Sequence, residues 1–192
     1  MYKVKIFIFD GVELLDFAGP LEVFSVAAHL TANEPVLDIE TIAFKNEITV
    51  SKSGIKVTPN STDINGPYDL LIIPGGFGTR SIINDSSVLD NVRQLISQAS
   101  CCASVCTGAL ILGKLGFLDG LSVTTHAIGV PLLKEVSPAC HIDRSKRYID
   151  NECILTSAGI SAGIDMSLYI IEKRFGRKLR QKVQEYMEYC PS

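Results

Sequence analysis

Ala103-Ser104-Val105-Cys106-Thr107-Gly108 is the stretch on which the reading of this chain turns. Ala103, Ser104 and Val105 suit a short buried strand, and a helical pattern opens at Thr107 or Gly108 and runs to Gly116. A cysteine between strand and helix, with small residues behind it, resembles a nucleophile elbow, where a strained turn lifts the reactive atom above a sheet. The helix N-terminus beyond the thiol offers unpaired amides and a positive dipole end, which favour thiolate and predict a Cys106 reactive near neutral pH. The alternative is a buried cysteine that only fills the core, the fate expected for Cys101 and Cys102 upstream.

Outward from this stretch, short apolar runs rich in β-branched residues alternate with longer helical patterns. Strands are predicted over residues 4–9, 39–44, 70–73, 103–105, 123–125 and 154–156. A peripheral hairpin is expected where Ile48, Val50, Ile55 and Val57 flank Lys52-Ser53-Gly54. Helices are predicted over 20–32, with Pro20 at its first position, over 86–100 with Asp85 or Ser86 as cap, and over 164–175 and 178–189, separated by Gly176. This alternation predicts an α/β fold with a mainly parallel central sheet and helices on both faces.

The 192 residues carry no linker-like tract, so residues 1–192 are read as a single domain. With 46% hydrophobic and 20% charged residues and a net charge of −3, the composition is that of a soluble globular protein, without a basic surplus for nucleic acid. The apolar stretch before Asp10 is too short for a signal peptide, and no span approaches transmembrane length. Cytoplasmic location, no membrane partner and six free thiols are the corresponding expectations.

In open parallel sheets, ligands bind at the loops leaving the carboxyl ends of the strands. Four such loops stand out: Leu15-Asp16-Phe17-Ala18-Gly19-Pro20, Pro74-Gly75-Gly76-Phe77-Gly78, the Cys106 turn, and Thr124-Thr125-His126. Asp16, in a tight apolar loop, is expected to have a raised pKa useful for proton transfer; the alternative is a cap for the helix at Pro20. Gly75 and Gly76 let backbone amides approach a ligand and, with the Thr107 amide, are candidates for an oxyanion hole, or else form an ordinary turn. His126 either enters the pocket or is hydrogen-bonded at a helix start. Cysteine and histidine lack zinc-type spacing, and the glycine-rich loops lack a Walker lysine or dinucleotide fingerprint, so neither metal nor cofactor is expected.

Together with Ala158-Gly159-Ile160-Ser161-Ala162-Gly163-Ile164-Asp165, these motifs resemble the ThiJ/PfpI superfamily, with its class I glutamine-amidotransferase-like domain, over essentially the whole chain. Within it the chain is most similar to the isocyanide (isonitrile) hydratase branch. The resemblance implies a flavodoxin-like three-layer sandwich, a homodimer and a small-molecule substrate. It also implies Cys106 as nucleophile, Asp16 as general acid/base and Thr107 beside them, with Gly75, Gly76, His126, Gly159 and Ile160 around the substrate. The implied reaction passes through a Cys106 thioimidate to an N-substituted formamide. Thr107 stands where the protease/amidase branch has histidine, which argues against peptide hydrolysis. Ala127 replaces the aromatic residue that follows the histidine in isocyanide hydratases, which puts the apolar pocket in question. A glyoxalase or deglycase, an amidase, and a non-enzymatic sensor oxidised at Cys106 are the alternatives. A DNA-binding helix-turn-helix pair, found in another branch, is not expected after Ser192.

Overall fold

The computed structural model describes residues 1–51 and 53–190; Lys52 of the expected hairpin turn lies outside them. The first half of the chain runs β1 (Tyr2–Phe7), α1 (Leu14–Leu30), β2 (Leu37–Ile42), β3 (Ile48–Thr49), β4 (Lys56–Val57), β5 (Tyr68–Ile73), α2 (Thr79–Ile82) and α3 (Ser86–Ser97). It continues through β6 (Ala99–Val105), α4 (Ala109–Lys114), β7 (Ser122–Val123), α5 (Val130–Val136), β8 (His141–Ile142), β9 (Tyr148–Asn151), β10 (Ile154–Ser157), α6 (Ala162–Phe175) and α7 (Arg177–Tyr186). The sheet order is β2-β1-β5-β6-β10-β9, parallel except for the antiparallel edge strand β9. Helices α1, α6 and α7 pack together, while α2, α4 and α5 form a second group. This is the α/β fold that the alternation predicts, in the flavodoxin-like sandwich that the resemblance implies.

The central strands are apolar because both faces are covered: Leu70, Leu71, Ile72 and Ile73 are all buried, as are Cys102, Ala103 and Val105. Small side chains on β6 leave room for the helices above and below it. Close packing recurs where α1 meets α6. A β-carbon on Gly19 would come within 2.9 Å of Ile164 Cγ1, and one on Gly163 within 2.9 Å of Val105 Cγ1. These glycines let the two helices approach each other and the sheet.

Several expected elements shift. The first helix begins at Leu14 rather than Pro20, so Pro20 sits inside it and leaves the Asp16 carbonyl without its usual amide partner. Residues 123–125 do not form a central strand; β7 is shorter and pairs with β8 in a separate two-stranded sheet. The place beside β10 is taken by β9, and the two threonines after Val123 are held by other bonds. Thr124 N donates to Thr156 Oγ1 at 2.9 Å, and Thr125 Oγ1 to the Cys106 carbonyl at 2.6 Å. The hairpin forms as β3 and β4, extended by Val50 N donating to Ile55 O at 2.8 Å. Among the described residues no helix is long and apolar enough to cross a membrane.

Candidate active site

Cys106 follows directly on β6 and has φ +57°, a left-handed conformation that side chains adopt only when the surroundings hold them there. The hold is visible on both sides of the peptide. Cys106 N donates to Ala158 O at 3.2 Å, and the Cys106 carbonyl accepts the short bond from Thr125. Cys106–Gly108 form a single 3-10 turn that leads into α4. The elbow expected from the sequence is therefore present, and Cys106 is 6% exposed.

Asp16 reaches the thiol from the first turn of α1, not from a loop. It is wholly buried. Its Oδ2 accepts from Gly75 N at 3.0 Å, whereas Oδ1 has no partner of full hydrogen-bond geometry. Burial pushes the Asp16 carboxyl up to about 6, opposed by the Cys106 thiol and the Gly75 and Ile160 amides that bond it. The same pairing works against the thiol. Burial, and then the charge of Asp16, push Cys106 up to about 12, although the Thr107 and Ile160 amides pull the other way. The thiolate expected near neutral pH is thus corrected: burial of the sulfur, and then the carboxylate beside it, outweigh a short helix N-terminus.

The two glycine amides proposed for an oxyanion hole are already engaged. Gly75 N serves Asp16, and Gly76 N donates to Thr107 Oγ1 at 2.9 Å. The Thr107 hydroxyl is turned toward that loop, and lies 3.2 Å from Gly76 O and 3.4 Å from Thr79 Oγ1, so it braces the loop rather than the thiol. The amides directed at the sulfur come from Thr107 and Ile160. A β-carbon on Gly75 would lie 2.5 Å from Thr107 N and 2.7 Å from Asp16 Oδ2, so only glycine lets the loop fit between acid and elbow.

Ile160 itself has φ +51°. Its loop is tied down by Arg147, which pairs with Asp165 and donates to Ser161 Oγ at 3.2 Å. This gives Asp165 of the Gly-Ile-x-Ala-Gly-Ile-Asp segment its place. His126 packs against Gly159, where a β-carbon would fall 2.0 Å from His126 Cδ2. Its Nδ1 accepts from Ile128 N at 3.2 Å, so the ring caps a turn and also borders the cleft.

That cleft measures ≈ 90 Å³ and brings Cys106, Thr107, His126 and Ile160 together with Glu13, Phe77, Arg80 and Ile128. Of the last four, Glu13, Arg80 and Ile128 were not singled out in the sequence, and Phe77 stood only as part of the Pro74–Gly78 loop. Phe77 and Ile128 are 53% and 57% exposed, an apolar pair at the mouth, and the Arg80 guanidinium lies 5.5 Å from the Phe77 ring centre. Large apolar residues beside glycines were the one available signal. Among the described residues no cluster of three or more His, Cys, Asp or Glu side chains can hold a metal ion. Asp16 and Cys106 together can hold one proton between a sulfur and an oxygen, above a cleft with room for a few heavy atoms.

Known proteins share this fold. The chain is 31% identical over 192 residues to the isonitrile hydratase of Pseudomonas putida, covering 99% of this chain and 79% of that one. It is 27% identical to the HTH-type transcriptional regulator GbdR of Pseudomonas aeruginosa, over 97% of this chain and 50% of the regulator. A ThiJ/PfpI family protein from Pseudomonas syringae superposes with a TM-score of 0.86 at 24% identity, covering 100% of this chain and 76% of that one. The DJ-1/PfpI family model matches residues 2–173, a span that holds both the sheet and every residue of the cleft, and the chain belongs to the DJ-1/PfpI family.

Proposed function

We propose that this protein is a cysteine-dependent enzyme that hydrates an isocyanide to an N-substituted formamide. The observation that carries the reading is the buried Asp16–Cys106 pair, with its carboxyl near 6 and its thiol near 12. The two groups share one proton, and its transfer from sulfur to carboxylate creates nucleophile and acid in one step. An isocyanide carbon needs both: it accepts a sulfur lone pair and then a proton.

Cys106 thiolate attacks the terminal carbon, Asp16 delivers the proton to that carbon, and a thioimidate results. Water then adds to the thioimidate carbon and gives up a proton to the Asp16 carboxylate. Asp16 passes that proton to the nitrogen, the hydroxyl of the adduct returns its own proton through the Asp16 carboxylate to the Cys106 sulfur as the carbon–sulfur bond breaks, and R–NH–CHO leaves. The Thr107 and Ile160 amides steady the sulfur whenever it carries charge, while Phe77 and Ile128 receive the substituent R at the mouth. Similarity to the Pseudomonas putida isonitrile hydratase over nearly the whole chain supports the same choice. A homodimer working in the cytoplasm is part of the proposal.

The test is an assay of the purified protein against aliphatic isocyanides, methylglyoxal and simple amides, with formamide measured by chromatography. Formamide production lost on Cys106→Ala supports the reading. Turnover of glyoxals or amides alone, or isocyanide hydration that survives Cys106→Ala, overturns it.

A further inference from the structure

Cys106 is one of three cysteines on or just beyond β6, and a different thiol pair lies at the strand's other end. The register sets Ile154 opposite Cys102, and Cys102 N donates to Cys153 O at 2.8 Å, so the pairing continues for one residue and places Cys153 beside Cys101. Adjacent strands are about 4.8 Å apart, inside the roughly 4.4–6.8 Å between α-carbons that a disulfide spans. Both side chains share a face. Cys101 and Leu155 line one crevice with Ile170 and Arg174 of α6, and Cys153, two residues before Leu155, alternates onto the same side.

The surroundings suit a dithiol. Cys153 is exposed to solvent while Cys101 is buried. Arg174 Nη2 lies 3.4 Å from Cys101 Sγ, and its guanidinium is held over the Tyr2 ring at 5.5 Å. Burial and the neighbouring Cys153 push the Cys101 thiol up, and Arg174 opposes them. The turn that presents Cys153 is braced: Cys153 N donates to Asn151 O at 2.9 Å, and Glu152 N to Asp150 Oδ1 at 2.8 Å. Asp150 is in turn held by Tyr169 at 2.7 Å and by Lys173.

We propose that Cys101 and Cys153 form a second, redox-active site, oxidised by hydroperoxides to a reversible intramolecular disulfide. Exposed Cys153 attacks one oxygen of the peroxide, breaks the O–O bond and becomes a sulfenic acid, while the alcohol or water leaves with the proton. Cys101 then attacks the Cys153 sulfur, its proton leaving with the displaced hydroxyl as water, while the Arg174 cation offsets the charge that develops on its sulfur. The two thiols lose two electrons and the peroxide gains them. The site is independent of the hydratase reading.

The experiment uses the full chain carrying Cys106→Ser, so that oxidation at the elbow does not enter. After treatment with hydrogen peroxide and alkylation, non-reducing peptide mapping is expected to show Cys101 joined to Cys153, with two thiols lost per chain and both restored by dithiothreitol. Adding Cys153→Ser, at an exposed position, is expected to abolish the cross-link. Adding Arg174→Gln should slow disulfide formation about tenfold, the effect of one pKa unit on thiolate, with a Cys153 sulfenic acid trapped by dimedone. Absence of the Cys101–Cys153 peptide, or the same thiol loss without Cys153, overturns the proposal. An unchanged rate in the Arg174 variant removes Arg174 from it.

Discussion

The two ends of β6 put the same side chain to opposite uses. At the carboxyl end, Cys106 sits in a left-handed turn against a buried acid, hidden from solvent but open to a cleft. At the amino end, Cys101 sits in regular strand geometry against a guanidinium, one strand away from an exposed thiol. Cys102 lies between them, fully enclosed, with burial pushing its thiol far up. The partner at each end, a carboxyl or a cation, decides what the sulfur can do, and the residue type decides little. Anionic Asp16 adds to the burial that disfavours a Cys106 thiolate until it takes up the proton itself, whereas Arg174 partly offsets the burial and the neighbouring thiol that push Cys101 up.

The comparison breaks most sharply at Cys106. Cys106→Ala is expected to lower isocyanide turnover about 10³-fold or more with an unchanged circular dichroism spectrum, while Cys101→Ala leaves turnover intact. Asp16→Asn comes next, with a loss of about 10²–10⁴-fold measured in the same assay. In that variant the alkylation of Cys106 by iodoacetamide should become faster at neutral pH, because the adjacent negative charge is gone. Lower turnover with a more reactive thiol separates proton delivery from nucleophile supply.

Asp16 also leaves a mark on stability. Its carboxyl binds a proton more tightly in the folded chain, at about 6, than in the unfolded one, at the ordinary 3.8. Its contribution is therefore complete below pH 3.8 and declines as pH rises through 6, an effect of about 3 kcal/mol in all. Denaturant unfolding of wild type and Asp16→Asn between pH 4 and 8 measures it as the difference between the two curves, with wild type losing ground toward high pH.

Gly75→Ala wedges a methyl between acid and elbow; it should destabilise the fold by about 1–3 kcal/mol and reduce turnover, as read by thermal unfolding and the formamide assay. The smallest effect belongs to Cys102→Ala. Removing a buried sulfur that faces neither site is expected to cost about 1 kcal/mol and to change neither turnover nor peroxide cross-linking.

Much of this was legible in the residues. Apolar runs marked β1, β5 and β10, and the Val-Cys-Thr-Gly turn marked the end of β6 and the elbow, because those signals are local. Pro20 misled, since a proline that suits a first helical position lies here in the seventh, and Asp16 was read as a loop residue in consequence. The threonines after Val123 look like strand and act through their hydroxyls instead. The amide assignments were beyond reach: which N–H meets a sulfur depends on how β10, α1 and the Gly75–Gly76 loop converge. The sign of the Cys106 shift was missed for the same reason. A helix N-terminus can be seen in the sequence, but the depth to which the fold buries the sulfur, and the carboxylate that a distant segment sets beside it, cannot.

The glycine contacts between α1 and α6 bear on the acid itself. Gly19 against Ile164, and Gly163 against Val105, fix how near α1 lies to the central strand, and thereby how long a carboxylic side chain at position 16 must be to touch the sulfur. Acid length and helix spacing are then a single adjustable dimension. Asp16→Glu alone should jam, and Asp16→Glu joined to Gly19→Ala, which pushes the helices apart, should recover part of the lost turnover. An engineer wishing to retune this fold for a bulkier electrophile would begin at those two glycines, which never meet the substrate.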